Sequence, residues 1–156
     1  MIKKLRVDHR LLHGQVAFSW TSALNADCIL IANDSVVNDE LRKTTMKMAK
    51  PNGVKLVIKN IADSIQAINS GKTDKYKLFI VVESIKDAQK LINGVDQIKS
   101  LNLGGTKATE QTRNISKAMN ITNEEETILK DLVNKGVDVT IQMVPEDTAI
   151  PVEKVL

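Results

Sequence analysis

Five times along this chain a short run rich in β-branched residues gives way to a longer stretch with helical spacing, and that alternation restricts the fold more than any other feature. The extended runs are "IKKLRV" (2–7), "CILIAN" (28–33), "VKLVIK" (54–59), "KLFIVV" (77–82) and "IKSLNL" (98–103), followed at the end by "VDVTIQMV" (137–144) and Pro145. "CILIAN" is almost continuously apolar, as a strand covered on both faces must be. Between these runs lie the helical segments. Gln15 to Leu24 sets Val16, Trp20 and Ala23 on one face. Asp34 and Ser35 offer caps for a helix running to about Lys50, where "PNG" (51–53) stops it. Asn60 precedes "IADSIQAINS" (61–70), Ser84 opens "SIKDAQKLI" (84–92), and "NEEETILKDLVNKG" (123–136) places acidic residues in its first turn, as the helix dipole favours.

Strands alternating with helices predict an α/β fold: a mainly parallel central sheet flanked by helices on both faces, a three-layer α/β/α sandwich. A length of 156 residues fits a single domain, 1–156, with a core large enough to need neither disulfides nor metals. Aromatic residues are scarce, so Ile, Val, Leu and Ala must fill that core. Residues 106–122 do not fit the alternation; "NISKAMNI" reads as a strand or as part of a long loop.

The net charge of +3 and the lack of stacking aromatics argue against nucleic acid as a partner. The single cysteine, Cys28, lies in an apolar run and reads as a buried, unreactive thiol in a reducing compartment. No apolar run approaches the roughly 20 residues of a membrane span, and the first residues lack a signal peptide's apolar stretch, so the expected location is the cytoplasm.

In an open α/β sheet, ligands bind beyond the carboxyl ends of the strands. The loop after the first strand reads "DHRLLHG" (8–14) and contains both histidines of the chain, His9 and His13. His13 offers a nitrogen nucleophile near neutral pH, Arg10 a permanent cation suited to phosphate oxygens, and Gly14 a close backbone approach at the start of a helix whose free N–H groups attract anions. A nucleophile, a cation and a helix start point to phosphoryl transfer through a phosphohistidine. With no third histidine or second cysteine, a structural zinc site is not expected. The chain also lacks G-x-x-x-x-G-K-[ST] and G-x-G-x-x-G, against an NTPase or Rossmann dinucleotide site.

"RVDHRLLHGQV" (6–16) closely resembles the active-site signature of the mannose/fructose/sorbose family of enzyme IIB components of the bacterial phosphoenolpyruvate-dependent sugar phosphotransferase system. "IANDSVVNDELRKTTMKMAKPNGVKL" (31–56), "LNLGGT" (101–106) and "GVDVTIQMVPED" (136–147) extend the resemblance over nearly the whole chain. It implies that a phosphorylated IIA protein or domain passes phosphate to Nδ1 of a IIB histidine, and that IIB then phosphorylates a sugar during uptake through membrane IIC and IID subunits. By position in the motif, His13 is the phosphoacceptor and Arg10 the phosphate-contacting arginine. Gly14 and Gln15 begin the following helix, and Gly104 and Gly105 give the backbone room near the phosphate. No metal or cofactor is expected. Family members often carry an acidic residue where this chain has His9, so His9 matches no histidine of the motif and reads as a solvated loop residue.

Arg42, Lys43, Lys47 and Lys50 form a basic helix face that suits solvent or an acidic IIA surface. Two further readings of the residues stay open. One is a non-catalytic α/β module that binds a nucleotide or another phosphorylated small molecule. The other is a regulatory protein using the same relay. The oligomeric state stays open, a homo-oligomer included, and the identity of the sugar is not encoded in any motif.

Overall fold

A computed structural model describes residues 1–156. Seven strands form the main sheet, in the order β3-β2-β4-β1-β5-β8-β9. They are β1 (Ile2–Asp8), β2 (Cys28–Ala32), β3 (Lys55–Lys59), β4 (Leu78–Val82), β5 (Ser100–Gly105), β8 (Asp138–Ile141) and β9 (Ile150–Pro151). All neighbours run parallel except β9, which pairs antiparallel to β8. Five helices connect them: α1 (Gly14–Leu24), α2 (Glu40–Ala49), α3 (Ile61–Asn69), α4 (Ile85–Gly94) and α5 (Asn123–Asn134).

The period-two alternation of the strands divides the core. Leu5, Val7, Cys28, Leu30, Leu78 and Ile80 face one side, where α3, α4 and α5 pack. Ile29, Ile31, Phe79 and Val81 face the other, where Ala17 and Trp20 of α1 and Met46 of α2 cover them. The result is the expected three-layer α/β/α sandwich. The connection after β1 goes to one face of the sheet, while those after its two neighbours β4 and β5 go to the other. Connections that part in this way open a crevice at the carboxyl end of β1, which is where open α/β sheets bind ligands.

Three local features differ from the sequence reading. Residues 106–122 contain a separate antiparallel hairpin, β6 (Arg113–Ser116) and β7 (Met119–Ile121), anchored by the buried Met119 and Ile121. The second helix starts later than Asp34–Ser35. Asn33 Oδ1 accepts the amides of both Ser35 and Val36, which sets a 3-10 turn over Val36–Asn38, and the N-cap is Asp39, accepting from Arg42 N at 3.0 Å. Asp34 instead accepts the Ile61 amide at 2.9 Å, tying the β2 loop to the start of α3. The last long run, read as 137–144, is a strand only over Asp138–Ile141, because Gln142 and Met143 turn their carbonyls towards the first strand.

Candidate active site

The loop between β1 and α1 is shaped by Asp8. Its carbonyl accepts the Leu11 amide at 2.9 Å, and its Oδ1 accepts the Arg10 amide at 3.0 Å, a side-chain turn of the kind aspartate favours. Leu11 and Leu12 are both buried and moor the loop in the core beneath α1. These anchors hold Leu11 at φ 57, a conformation uncommon outside glycine, asparagine and aspartate. His13 then occupies the N-cap position of α1 with extended dihedrals, and Gly14 follows at φ +42.

α1 is the exception among the five helices. Asp39, Asn60, Ser84 and Thr122 each cap their own helix with a side-chain hydrogen bond, and Thr122 forms a full capping box with Glu125. His13 makes no such bond, and no acidic residue lies in the first turn of α1. The first-turn amides, including those of the exposed Gly14 and Gln15, are left open beside the imidazole.

The imidazole itself is held from one side. His13 Nε2 lies 2.9 Å from Asp8 Oδ2. Asp8 is buried, and burial alone would raise its pKa, but the hydrogen bonds from His13 and the Arg10 amide, with the nearby Arg6 charge, outweigh that and hold the carboxyl below its ordinary range. An ionised carboxylate only accepts, so Nε2 carries the hydrogen. Nδ1 keeps its lone pair, and the His13 side chain remains 20% exposed. The geometry therefore selects one tautomer and leaves one nitrogen for chemistry.

Beneath this pair lies Arg6, whose role the sequence reading missed. It is 2% exposed and packs on the α1 face of the sheet. Nη2 donates to Asp8 Oδ2 at 3.2 Å and to the Met143 carbonyl at 2.9 Å; Nη1 donates to Asn102 Oδ1 at 2.7 Å and to the Gln142 carbonyl at 3.1 Å. The guanidinium also sits 5.3 Å from the centroid of Trp20, whose Nε1 donates to the same Met143 carbonyl at 3.0 Å. Burial pulls the Arg6 pKa down and Asp8 pushes it back up, so the two groups sustain each other's charge. One breach of the rule that charges avoid a doubly covered strand was visible in "IKKLRV": Arg6, flanked by the two buried residues Leu5 and Val7.

The expected site residues divide into two groups. His13, Arg10, Gly14 and Gln15 lie together at the carboxyl edge of β1, with Arg10 exposed and its guanidinium free of hydrogen bonds and ion pairs. Its charge is still felt by Arg6. At Gly104 a Cβ would collide with the Arg6 guanidinium, so this glycine makes room for a buried cation. Gly105 is buried, its carbonyl accepting the His9 amide at 3.0 Å. His9 is not the solvated residue expected; it is half-buried, and its Nδ1 is enclosed without a hydrogen-bond partner. Trp20 is core, as expected, and Cys28 is buried with its thiol pKa raised by burial. On α2, Arg42 pairs with Glu83 and Lys43 with Glu40, leaving Lys47 exposed and unpaired. No group of three or more His, Cys, Asp or Glu side chains is arranged to hold a metal ion, and no helix is long and apolar enough to cross a membrane.

Fold and site together define a doubly wound α/β protein whose ligand edge carries an imidazole oriented by a buried carboxylate. Residues 2–156 match the model of the sorbose-subfamily IIB components of the PTS, the sugar phosphotransferase system, and the chain belongs to that family. It is 35% identical over 156 residues, with 96% of each chain covered, to a probable phosphotransferase enzyme IIB component of Streptococcus pyogenes serotype M6. It is 32% identical to the sorbose-specific EIIB component of Lacticaseibacillus casei, over 94% of this chain and 90% of that one. The crystal structure of the IIB domain of the sorbose permease from Klebsiella pneumoniae superposes with a TM-score of 0.93 at 27% identity, covering 99% of this chain and 94% of that one. The chain is thus a PTS IIB component of the sorbose/mannose family, involved in sugar phosphotransfer.

Proposed function

We propose that this chain, acting as a single domain in the cytoplasm, carries phosphate on His13 Nδ1 between a phosphorylated IIA protein and a sugar, which it phosphorylates while docked on membrane IIC and IID subunits. The observation that carries the reading is the Asp8 Oδ2 to His13 Nε2 hydrogen bond of 2.9 Å, which leaves Nδ1 as the only nitrogen of that ring with a free lone pair. In the first transfer, Nδ1 attacks the phosphorus of a protonated phosphohistidine on the donor. The donor P–N bond breaks as the His13 P–N bond forms, and the donor imidazole leaves neutral. His13 becomes a phosphorylated imidazolium whose positive charge is balanced by Asp8. Two imidazoles exchange places, so the step is close to thermoneutral and reversible. In the second, a sugar hydroxyl attacks phosphorus, the electrons of the P–N bond return to Nδ1, and the hydroxyl proton is released to solvent.

The equatorial oxygens carry the charge of the transition state. Arg10 and the uncapped amides of Gly14 and Gln15 are placed to meet it, in the manner of an oxyanion site. Because the Arg10 side chain is exposed and bonds to nothing, Arg10→Ala should slow phosphate uptake from IIA by about 10²-fold while shifting Tm by no more than about 2 °C. Quench-flow transfer assays and thermal melts check both halves; a variant that unfolds but transfers normally would overturn the role.

The direct test incubates the protein with phosphoenolpyruvate, the general phosphocarrier proteins and a IIA donor. A single phosphate, stable to base and labile to acid, should appear, and nuclear magnetic resonance of the ring should place it on Nδ1 of residue 13. A protein that remains unmodified during donor turnover, or is modified on another residue, would sink the proposal. The first of these outcomes would favour the binding-module reading instead.

A further inference from the structure

On the face of the sheet opposite α1, over β4, β2 and β3, lies a cavity of about 360 Å³ that the phosphoryl site does not use. Its floor is Cys28 and Leu30 of β2, Leu78 of β4 and Val57 of β3, with Ala67 of α3 on one wall. Cys28, Leu30 and Leu78 are each at most 2% exposed, so the floor is backed by packed core. Around the rim stand Lys55 and Lys59 from β3 and Lys72 and Lys75 from the segment between α3 and β4, with Tyr76 between them. Lys55 Nζ donates to Tyr76 Oη at 3.0 Å, and Lys55 and Lys75 both lie 5.2 Å from the Tyr76 ring centroid.

The charge of this cavity is lopsided. Four lysines line it and no carboxylate does. The whole chain has a net charge of only +3, so everything outside the cavity carries a slight negative excess. The carboxylates nearest in sequence, Asp27 and Asp74, lie outside the lining. Asp27 Oδ1 accepts the Lys77 amide at 2.8 Å, and Asp74 Oδ2 lies against Gly71. Lysines on an edge strand commonly guard it against pairing with another sheet, and β3 is an edge strand. That accounts for Lys55 and Lys59. It does not account for Lys72 and Lys75, which come from a different segment and converge on the same space.

We propose that this cavity binds a small organic polyphosphate bearing a flat apolar group, of the nucleoside diphosphate type, with its ring against the half-buried Val57 and Tyr76 beside Ala67 and its phosphates among Lys55, Lys59, Lys72 and Lys75. The volume falls in the range of small-molecule sites, and an apolar floor with a few convergent charges is the usual construction of one. A bilayer surface fits less well, because a planar headgroup layer does not fill a concave space. The site is separate from His13, so binding here is independent of the phosphoryl relay.

The test uses ADP as probe, with adenosine and inorganic phosphate measured separately, by isothermal titration of the full chain at low salt. ADP should bind one site in the micromolar range, and adenosine and phosphate alone should each bind at least about tenfold more weakly. Lys72→Glu combined with Lys75→Glu should weaken ADP at least about tenfold; both residues are exposed, so a melt should show the variant folded. Ala67→Phe, which fills the wall without touching a charge, should weaken ADP as well. Tyr76 is the only tyrosine, and its hydrogen bond from Lys55, with the neighbouring lysine charges, lowers its pKa. Phosphates that draw those amines away should move its ultraviolet titration to higher pH. No ADP binding at about 1 mM, or binding unchanged by the lysine reversals, would overturn the proposal. So would binding lost in Arg10→Ala, which would place ADP at the phosphoryl site. Phosphatidylglycerol vesicles that bind through these lysines when ADP does not would replace it with a membrane surface.

Discussion

His13→Gln is expected to accept no phosphate at all, with transfer to sugar falling by about 10⁴-fold or more. The loss is large because a carboxamide has no nucleophilic lone pair to substitute for Nδ1, and what survives is only the binding of donor and acceptor. The fold should persist. His13 sits at the N-cap without a capping bond, so its removal takes no hydrogen bond from α1, and a glutamine amide can still donate to Asp8. The companion variant makes the result decisive. His9 is the only other imidazole in the chain, and its backbone amide, not its ring, ties the loop to Gly105. His9→Gln should label fully. Full labelling of His13→Gln, or loss of labelling in His9→Gln, would move the acceptor to position 9 and dissolve the tautomer argument built on Asp8.

The layers of this fold are legible in the sequence because each strand and helix carries its own period. Hydrophobic alternation in "VKLVIK" and helical spacing in "IADSIQAINS" are local properties, and both survive into the structure as β3 and α3. The hairpin of residues 113–121 is not legible for the opposite reason. Its strands are four and three residues long, too short to establish a period, and only Met119 and Ile121 are fully buried. The start of α2 was misread because two competent caps stand five residues apart. Asn33, whose side chain takes the Ser35 and Val36 amides, decides between them. In the site, the residues that touch solvent were readable: His13, Arg10 and Gly14 declare their chemistry by type and order. The support was not. Asp8 lies in the same motif, but its bond to His13 depends on a turn that brings residues five apart together. Arg6, Asn102 and Gly104 meet only because β1 and β5 pair in register, with Arg6 opposite Asn102. Gly104 read as backbone room near a phosphate, and only the packed sheet shows that it faces a guanidinium.

That buried support supplies the second large effect. Asp8→Asn should slow phosphate transfer by about 10²- to 10³-fold and destabilise the fold by about 3 kcal/mol. Two causes act together. The asparagine amide can donate to Nε2, which shifts the ring proton to Nδ1 and removes the nucleophile; a phosphoimidazolium formed there would also lose its counter-charge. At the same time Arg6, 2% exposed, keeps its charge and loses its only carboxylate partner. Acid stability separates the two. The folded-state pKa of Asp8 lies below its unfolded value, so its ionised form contributes stability that is fully present above the unfolded pKa. That contribution fades as pH falls below about 4 and through the folded pKa. The wild type should therefore lose stability more steeply than Asp8→Asn on acidification over that range, and the two denaturation curves should converge. Nuclear magnetic resonance of the His13 ring nitrogens should show hydrogen on Nε2 in the wild type and on Nδ1 in the variant. A variant that transfers phosphate at the wild-type rate, with the proton still on Nε2, would show that Asp8 serves Arg6 and the sheet rather than the imidazole.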